Sequence, residues 1–116
     1  MEFHGIVTGG STKAGGFGYP TANIPLSDTD VSGIYVVYVH AEGKTYGGVA
    51  YADQTRGILE SHLFGFSGNL YGKEISVTLV EKLRDARAFP DEATLKAAIA
   101  ADATAARSYI KAHPLA

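Results

Sequence analysis

Short apolar or alternating runs, each closed by glycine or a polar cluster, fill the chain up to about residue 84, and a helical spacing takes over after it. Phe3 to Thr8 predicts a first strand that ends where glycines crowd together. From Gly10 to Gly18 there is no apolar periodicity, which predicts a loop, and Ile24 to Ser32 reads as a connection because Pro25 is followed by Ser27-Asp28-Thr29-Asp30. Gly33 opens Ile34-Tyr35-Val36-Val37-Tyr38-Val39, which is β-branched or aromatic throughout and too short for an ordinary helix. Ala41-Glu42-Gly43-Lys44 is a hairpin signal, and Thr45 to Tyr51 returns as its second strand.

After a polar connection at Asp53 to Gly57, Ile58 to Phe66 predicts another strand. Side chains alternate faces along a strand, so Glu60, His62, Phe64 and Phe66 are expected on one face and Leu59, Ser61 and Leu63 on the other. Ser67-Gly68-Asn69 is a turn, and Ile75, Val77 and Leu79 alternate with Ser76 and Thr78 in the clearest amphipathic strand. A polar loop then runs to Phe89-Pro90. Leu95, Ile99, Ala103, Ala106 and Ile110 recur at helical spacing behind Asp91, a natural N-cap, and His113-Pro114 ends the helix. An alanine-rich helix has a narrow apolar face, so it is expected to lie against a sheet. Short strands with glycine turns and one terminal helix predict a single domain over residues 1–116, a small antiparallel barrel.

Composition narrows the partners. The net charge of −2, without a basic run, argues against a nucleic-acid surface, which draws on clustered Lys and Arg. With no cysteine, a disulfide framework, a thiolate metal site and a catalytic thiol are excluded. The N-terminus lacks the pattern of a signal peptide and no apolar run reaches membrane-spanning length, so the expectation is a cytoplasmic chain with no membrane partner, monomeric as a small barrel.

Two stretches carry candidate chemistry. Gly5 to Asn23 places six glycines before Pro20-Thr21-Ala22-Asn23. Glycines let main-chain N–H groups approach a phosphate, Lys13 adds a cation, and the rigid proline presents the Thr21 hydroxyl and the Asn23 amide, hard oxygens of the kind Mg²⁺ takes. A mobile loop followed by a turn would use the same residue types. Glu60, in aromatic company, is the candidate general base, since a carboxylate there is costly to bury unless paired or used; an exposed strand glutamate is the other reading. Gly43-Lys44-Thr45 looks like the end of a P-loop, but Tyr38 stands where that motif needs glycine. His4, His40 and His113 show no ligand spacing.

The order Gly5-x-Val7-x-x-Gly10, then Gly18-Tyr19-Pro20-Thr21-Ala22-Asn23, resembles the signature of the riboflavin kinase family, with Tyr19 in place of the usual Phe or Ile. Glu60-Ser61-His62, Leu70-Tyr71-Gly72 and Leu83-Arg84 with Phe89 are similar to further elements of that family in the same order. The resemblance implies a mainly β fold: a closed, Greek-key-like antiparallel barrel of six strands with a C-terminal helix. It also implies an ATP:riboflavin 5′-phosphotransferase making FMN and ADP. Gly5, Val7, Gly10, Lys13, Gly18, Pro20, Thr21 and Asn23 would then form the nucleotide side, with Thr21 and Asn23 near Mg²⁺. Glu60 would be the base on the ribityl 5′-hydroxyl, and His62, Arg84 and Phe89 would lie with Glu60 on the flavin side.

Two departures from the family pattern stand out. Gly15-Gly16 occupies the place of the family's loop arginine, and the segment between Val49 and Glu60 is short. A non-catalytic flavin- or nucleotide-binding barrel on the same scaffold is the alternative they leave open. Bacterial relatives join such a module to an adenylyltransferase that makes FAD, and the chain reads either as a stand-alone kinase or as one module of such an enzyme.

Overall fold

The computed structural model describes residues 1–9 and 21–113. Gly10, Lys13, Gly18 and Pro20 lie outside the described residues. The chain forms β1 (Glu2–Ile6), β2 (Thr21–Pro25), β3 (Gly33–Ala41), β4 (Lys44–Asp53), β5 (Ile58–Leu63), β6 (Glu74–Arg84) and α1 (Glu92–Ala112). The strands make one antiparallel sheet in the order β1-β6-β3-β4-β5-β2, which curls into a nearly closed barrel.

Closure is made just past the end of β1, where Thr8 N–H donates to Asn23 O at 2.9 Å and Asn23 N–H donates to Gly9 O at 3.0 Å. Gly5 permits it: a Cβ there would sit 3.1 Å from Ile24 Cβ, so a larger residue would hold β1 off β2. The edges left by β1 and β2 are thereby joined at the Gly9–Asn23 bridge.

The interior is filled by alternate residues of every strand. Ile24, Val37, Val39, Ala50, Leu59, Leu63, Ile75 and Val77 are almost wholly buried there, joined by Val7. β3 is apolar on both faces because its outer face is also covered: Ile34 and Val36, with Val49 of β4, meet Ala106, Tyr109 and Ile110 of α1. That double burial explains the unbroken Ile34–Val39 run. Gly47 makes room for the helix, since a Cβ there would fall 2.5 Å from Ile110 Cδ1.

The helix begins as its sequence predicts. Asp91 caps it, its carboxylate accepting from Thr94 N–H at 2.7 Å. Two local expectations change. Residues 21–25, expected as a stiff segment leading into a loop, form an edge strand, with Pro25 at its last position, where no ladder N–H is needed. β5 stops at Leu63, and Gly65 at φ 73° turns the chain so that Phe66 leaves the Glu60 face and packs on the main core beside Tyr46, ring centroids 5.2 Å apart.

Candidate active site

The barrel's outer face and the first half of α1 enclose a cavity of about 300 Å³. Its floor is apolar, with Val49, Tyr51 and Phe64 from the sheet and Leu95 and Ile99 from the helix. Its titratable groups are Glu60, Arg56, His62, Arg84, Arg87 and Asp102. Few polar groups on an apolar wall is the usual make-up of a small-molecule site, and the volume is at the small end of that class.

Alternation along β5 puts Glu60, His62 and Phe64 here while Leu59, Ser61 and Leu63 point into the barrel. The register then decides what faces Glu60. Asn23 of β2 lies directly opposite it on one side and Tyr51 of β4 on the other, while Thr21 lies opposite His62. Opposite residues of antiparallel strands share a face, so the four residues that sequence reasoning drew from two distant stretches form one cluster. Asn23 Oδ1 is buried there without a hydrogen-bond partner among the described residues. A buried amide oxygen left unpaired is costly in a fold that satisfies nearly all such groups, and it fits a hard cation or another donor arriving with a ligand. Gly9, the last described residue before Gly10, is bridged to Asn23 through the backbone.

Glu60 is not isolated. Its Oε1 accepts from Arg56 Nη2 at 3.2 Å, and Arg56 Nε donates in turn to Oδ2 of Asp53. Asp53 Oδ1 accepts from Arg56 N–H at 3.1 Å, which staples the turn between β4 and β5. Burial works to raise the Asp53 pKa, but its hydrogen bonds from Arg56 outweigh it and hold the carboxyl below its ordinary value. The hydrogen bond to Asp53 leads in raising Arg56, with Glu60 adding to it against burial. The shortened connection noted in the sequence is therefore a tight turn that delivers a cation to Glu60. His62 is held below its ordinary value, chiefly by burial, with the Glu60 and Asp102 carboxylates pulling it partly back.

Arg84 and Phe89 line the same cavity. Arg84 grips Asp102 with two bonds, Nε to Oδ1 at 2.9 Å and Nη2 to Oδ2 at 2.8 Å, which fastens α1 to β6 and satisfies a buried helix carboxylate. Its guanidinium also lies 5.5 Å from the Phe89 ring centre, and that of Arg87 lies 5.0 Å from it. Gly5 and Val7 sit elsewhere. Val7 is buried in the barrel, with its N–H and C=O already bonded to Lys73 O and Gly72 N–H, so these two residues belong to the closure of the barrel and not to the cavity.

Sequence reasoning missed Asp53, Arg56 and Asp102. Asp102 left a signal, a single carboxylate on the apolar stripe between Ile99 and Ala106. Asp53 and Arg56 left none, because their roles depend on how a short turn folds back. Among the described residues no group of three or more His, Asp or Glu side chains is placed to hold a metal, so a cation here would rest on oxygen donors such as Asn23 and on its ligand. No helix is long and apolar enough to cross a membrane.

Comparison with known proteins fits this geometry. The family model for riboflavin kinase, Flavokinase, matches residues 1–110. A bifunctional riboflavin kinase/FMN adenylyltransferase of Pseudomonas fluorescens is 37% identical over 113 residues, covering 90% of this chain and 36% of the relative. Among solved structures, a Streptococcus pneumoniae chain described as a macrolide-efflux protein superposes with a TM-score of 0.75 at 28% identity, over 91% of this chain and 38% of the other. Riboflavin kinase from Trypanosoma brucei superposes with a TM-score of 0.70 at 21% identity, over 97% and 78%, and so shares the fold. The chain spans little more than a third of the curated bifunctional relatives it matches, 36% of the one above. By the extent of the family match and the identity to that relative, the chain belongs to the riboflavin kinase family.

Proposed function

We propose that this chain transfers the γ-phosphate of ATP to the ribityl 5′-hydroxyl of riboflavin, giving FMN and ADP. One observation carries the reading. Glu60 lies on the cavity wall and directly across the strand pair from Asn23, whose buried oxygen has no partner among the described residues. A base is thus set between an apolar pocket sized for a flat ring and an oxygen suited to a metal–phosphate group.

In this reading the flavin ring enters between Phe89, Tyr51 and the helix, and its ribityl tail runs toward Glu60. The Glu60 carboxylate takes the hydroxyl proton as that oxygen bonds to the γ-phosphorus; the bond to the bridging β,γ-oxygen breaks and ADP leaves. The apolar floor and the neutral His62 keep water from competing. Asn23 and Thr21 would hold Mg²⁺, which when bound neutralises charge on the phosphates. Lys13 and the glycines on either side of it are assigned to those phosphates from the family pattern. The protein is proposed to work as a monomer in the cytoplasm, with riboflavin and ATP and no nucleic acid or membrane as partners.

The test is an incubation of the purified chain with riboflavin, ATP and Mg²⁺, followed by chromatographic separation of riboflavin from FMN, with Glu60→Gln alongside. FMN from the parent and its loss in the variant are expected. Riboflavin bound without turnover would replace the kinase by a flavin-binding barrel.

A further inference from the structure

We propose that Arg56, itself held by the buried Asp53, is the positioning residue for Glu60. The inference rests on the kinase reading of this site and adds to it how the base is aimed. Arg56 spends different nitrogens on its two carboxylates, Nε on Asp53 and Nη2 on Glu60. The Asp53 side chain is only 7% exposed, while those of Arg56 and Glu60 are 52% and 23% exposed. An ion pair between two free side chains at the surface orders little, because both lose rotamer freedom to form it. Here the guanidinium is fixed beforehand: the Asp53 carboxylate binds both the Arg56 backbone N–H and its side chain, so only Glu60 has to be ordered.

The turn itself is anchored. Asp53 and Ile58 pair across β4 and β5, Gly57 takes φ 66°, and Gly57 O accepts from Leu26 N–H at 2.8 Å. Arg56 binds Oε1 of Glu60, and the carboxylate's second oxygen is the one assigned to the hydroxyl proton. In phosphoryl transfer through a loose transition state the geometry of the attacking hydroxyl counts for more than base strength, so holding the carboxylate still is the larger effect.

Three variants test this in the FMN-forming assay, each with a melting curve. Arg56→Gln is expected to lower kcat by roughly ten- to a hundredfold, with KM for riboflavin and for ATP within about threefold of the parent. Arg56→Lys keeps the charge but gathers its donors on one nitrogen, without the planar fork that offers separate nitrogens to the two carboxylates, and is expected to fall between the parent and Arg56→Gln. In a Glu60→Gln background, Arg56→Gln is expected to cost nothing further, because its effect passes through Glu60. Parental kcat in Arg56→Gln overturns the inference, as does an equal loss in both backgrounds or a change confined to KM for ATP, which would make Arg56 a phosphate contact. Should Arg56→Gln fail to fold, Arg56→Lys decides alone: parental kcat overturns the inference and intermediate kcat supports it. A parent that makes no FMN removes the kinase reading itself, whereas an active parent with an unaffected arginine variant removes only this inference.

Discussion

The two faces of β5 do opposite work. Inward, Leu59, Ser61 and Leu63 are almost fully buried in the barrel core. Outward, one residue along each time, Glu60, His62 and Phe64 line the cavity under α1. A backbone held by β2 on one side and β4 on the other fixes both sets. Stability and chemistry are therefore carried in alternate positions by the same six-residue strand and the residue that follows it, and substitutions should separate them cleanly.

The largest expected effect is on the outer face. Removing the base by Glu60→Gln should lower turnover about 10²- to 10⁴-fold, the usual range for general-base assistance, while urea unfolding stays close to the parent's. Next comes the inner face. Leu59 is wholly buried, so Leu59→Ala should cost about 2–5 kcal/mol in unfolding free energy, with kcat near the parent's well below the melting temperature. If the inner variant lost turnover while still folded, or the outer one lost stability on that scale, the two faces would be coupled and the separation wrong.

How much of this arrangement the sequence made legible follows from the same alternation. The period of two from Leu59 to Phe64 placed Glu60 and His62 on one face, and the β-branched runs and the capped alanine helix gave a barrel with a helix beside it. What failed was whatever depended on chain reversal. Thr21–Pro25 is a strand only because β5 and Gly9 pair with it; two prolines at its borders hide an alternation only four residues long, Thr21-Ala22-Asn23-Ile24. Phe66 left its expected face because one glycine, Gly65, turned the backbone. Asp53 and Arg56 read as polar loop residues, and nothing in their spacing says that the turn aims them at Glu60. The Gly-Tyr-Pro-Thr-Ala-Asn resemblance reached Asn23 where periodicity did not.

A smaller effect concerns pH and belongs to the outer face again. An unfolded histidine titrates near 6.5, and burial pulls His62 lower in the folded chain. Between those values the unfolded chain binds the extra proton. The contribution of a neutral His62 is thus present in full above about pH 6.5 and is lost as pH falls through the folded value, at no more than about 1.4 kcal/mol per pH unit. Urea midpoints at pH 7.5 and 5.5 should fall in the parent and change less in His62→Gln. Asp53, also depressed, loses its contribution only as pH drops through the carboxylate range, outside this window. Equal slopes in parent and variant would mean that His62 is as easily protonated folded as unfolded.

The smallest effect is expected from Ser61, which sits between Glu60 and His62 but points the other way. Its side chain is fully buried, and its Oγ has no hydrogen-bond partner among the described residues. A buried hydroxyl without a partner carries a desolvation cost, so its removal offsets the small loss of packing. Ser61→Ala should leave stability unchanged or raise it by up to about 1 kcal/mol, with turnover unaltered. A loss of more than that in unfolding free energy would mean that the hydroxyl has a partner inside the barrel, such as an ordered water, and that the interior is less purely apolar than its neighbours Leu59 and Leu63 indicate. A fall in turnover without a fall in stability would be the sharper result, since it would show the inner face transmitting its packing to the carboxylate one residue away.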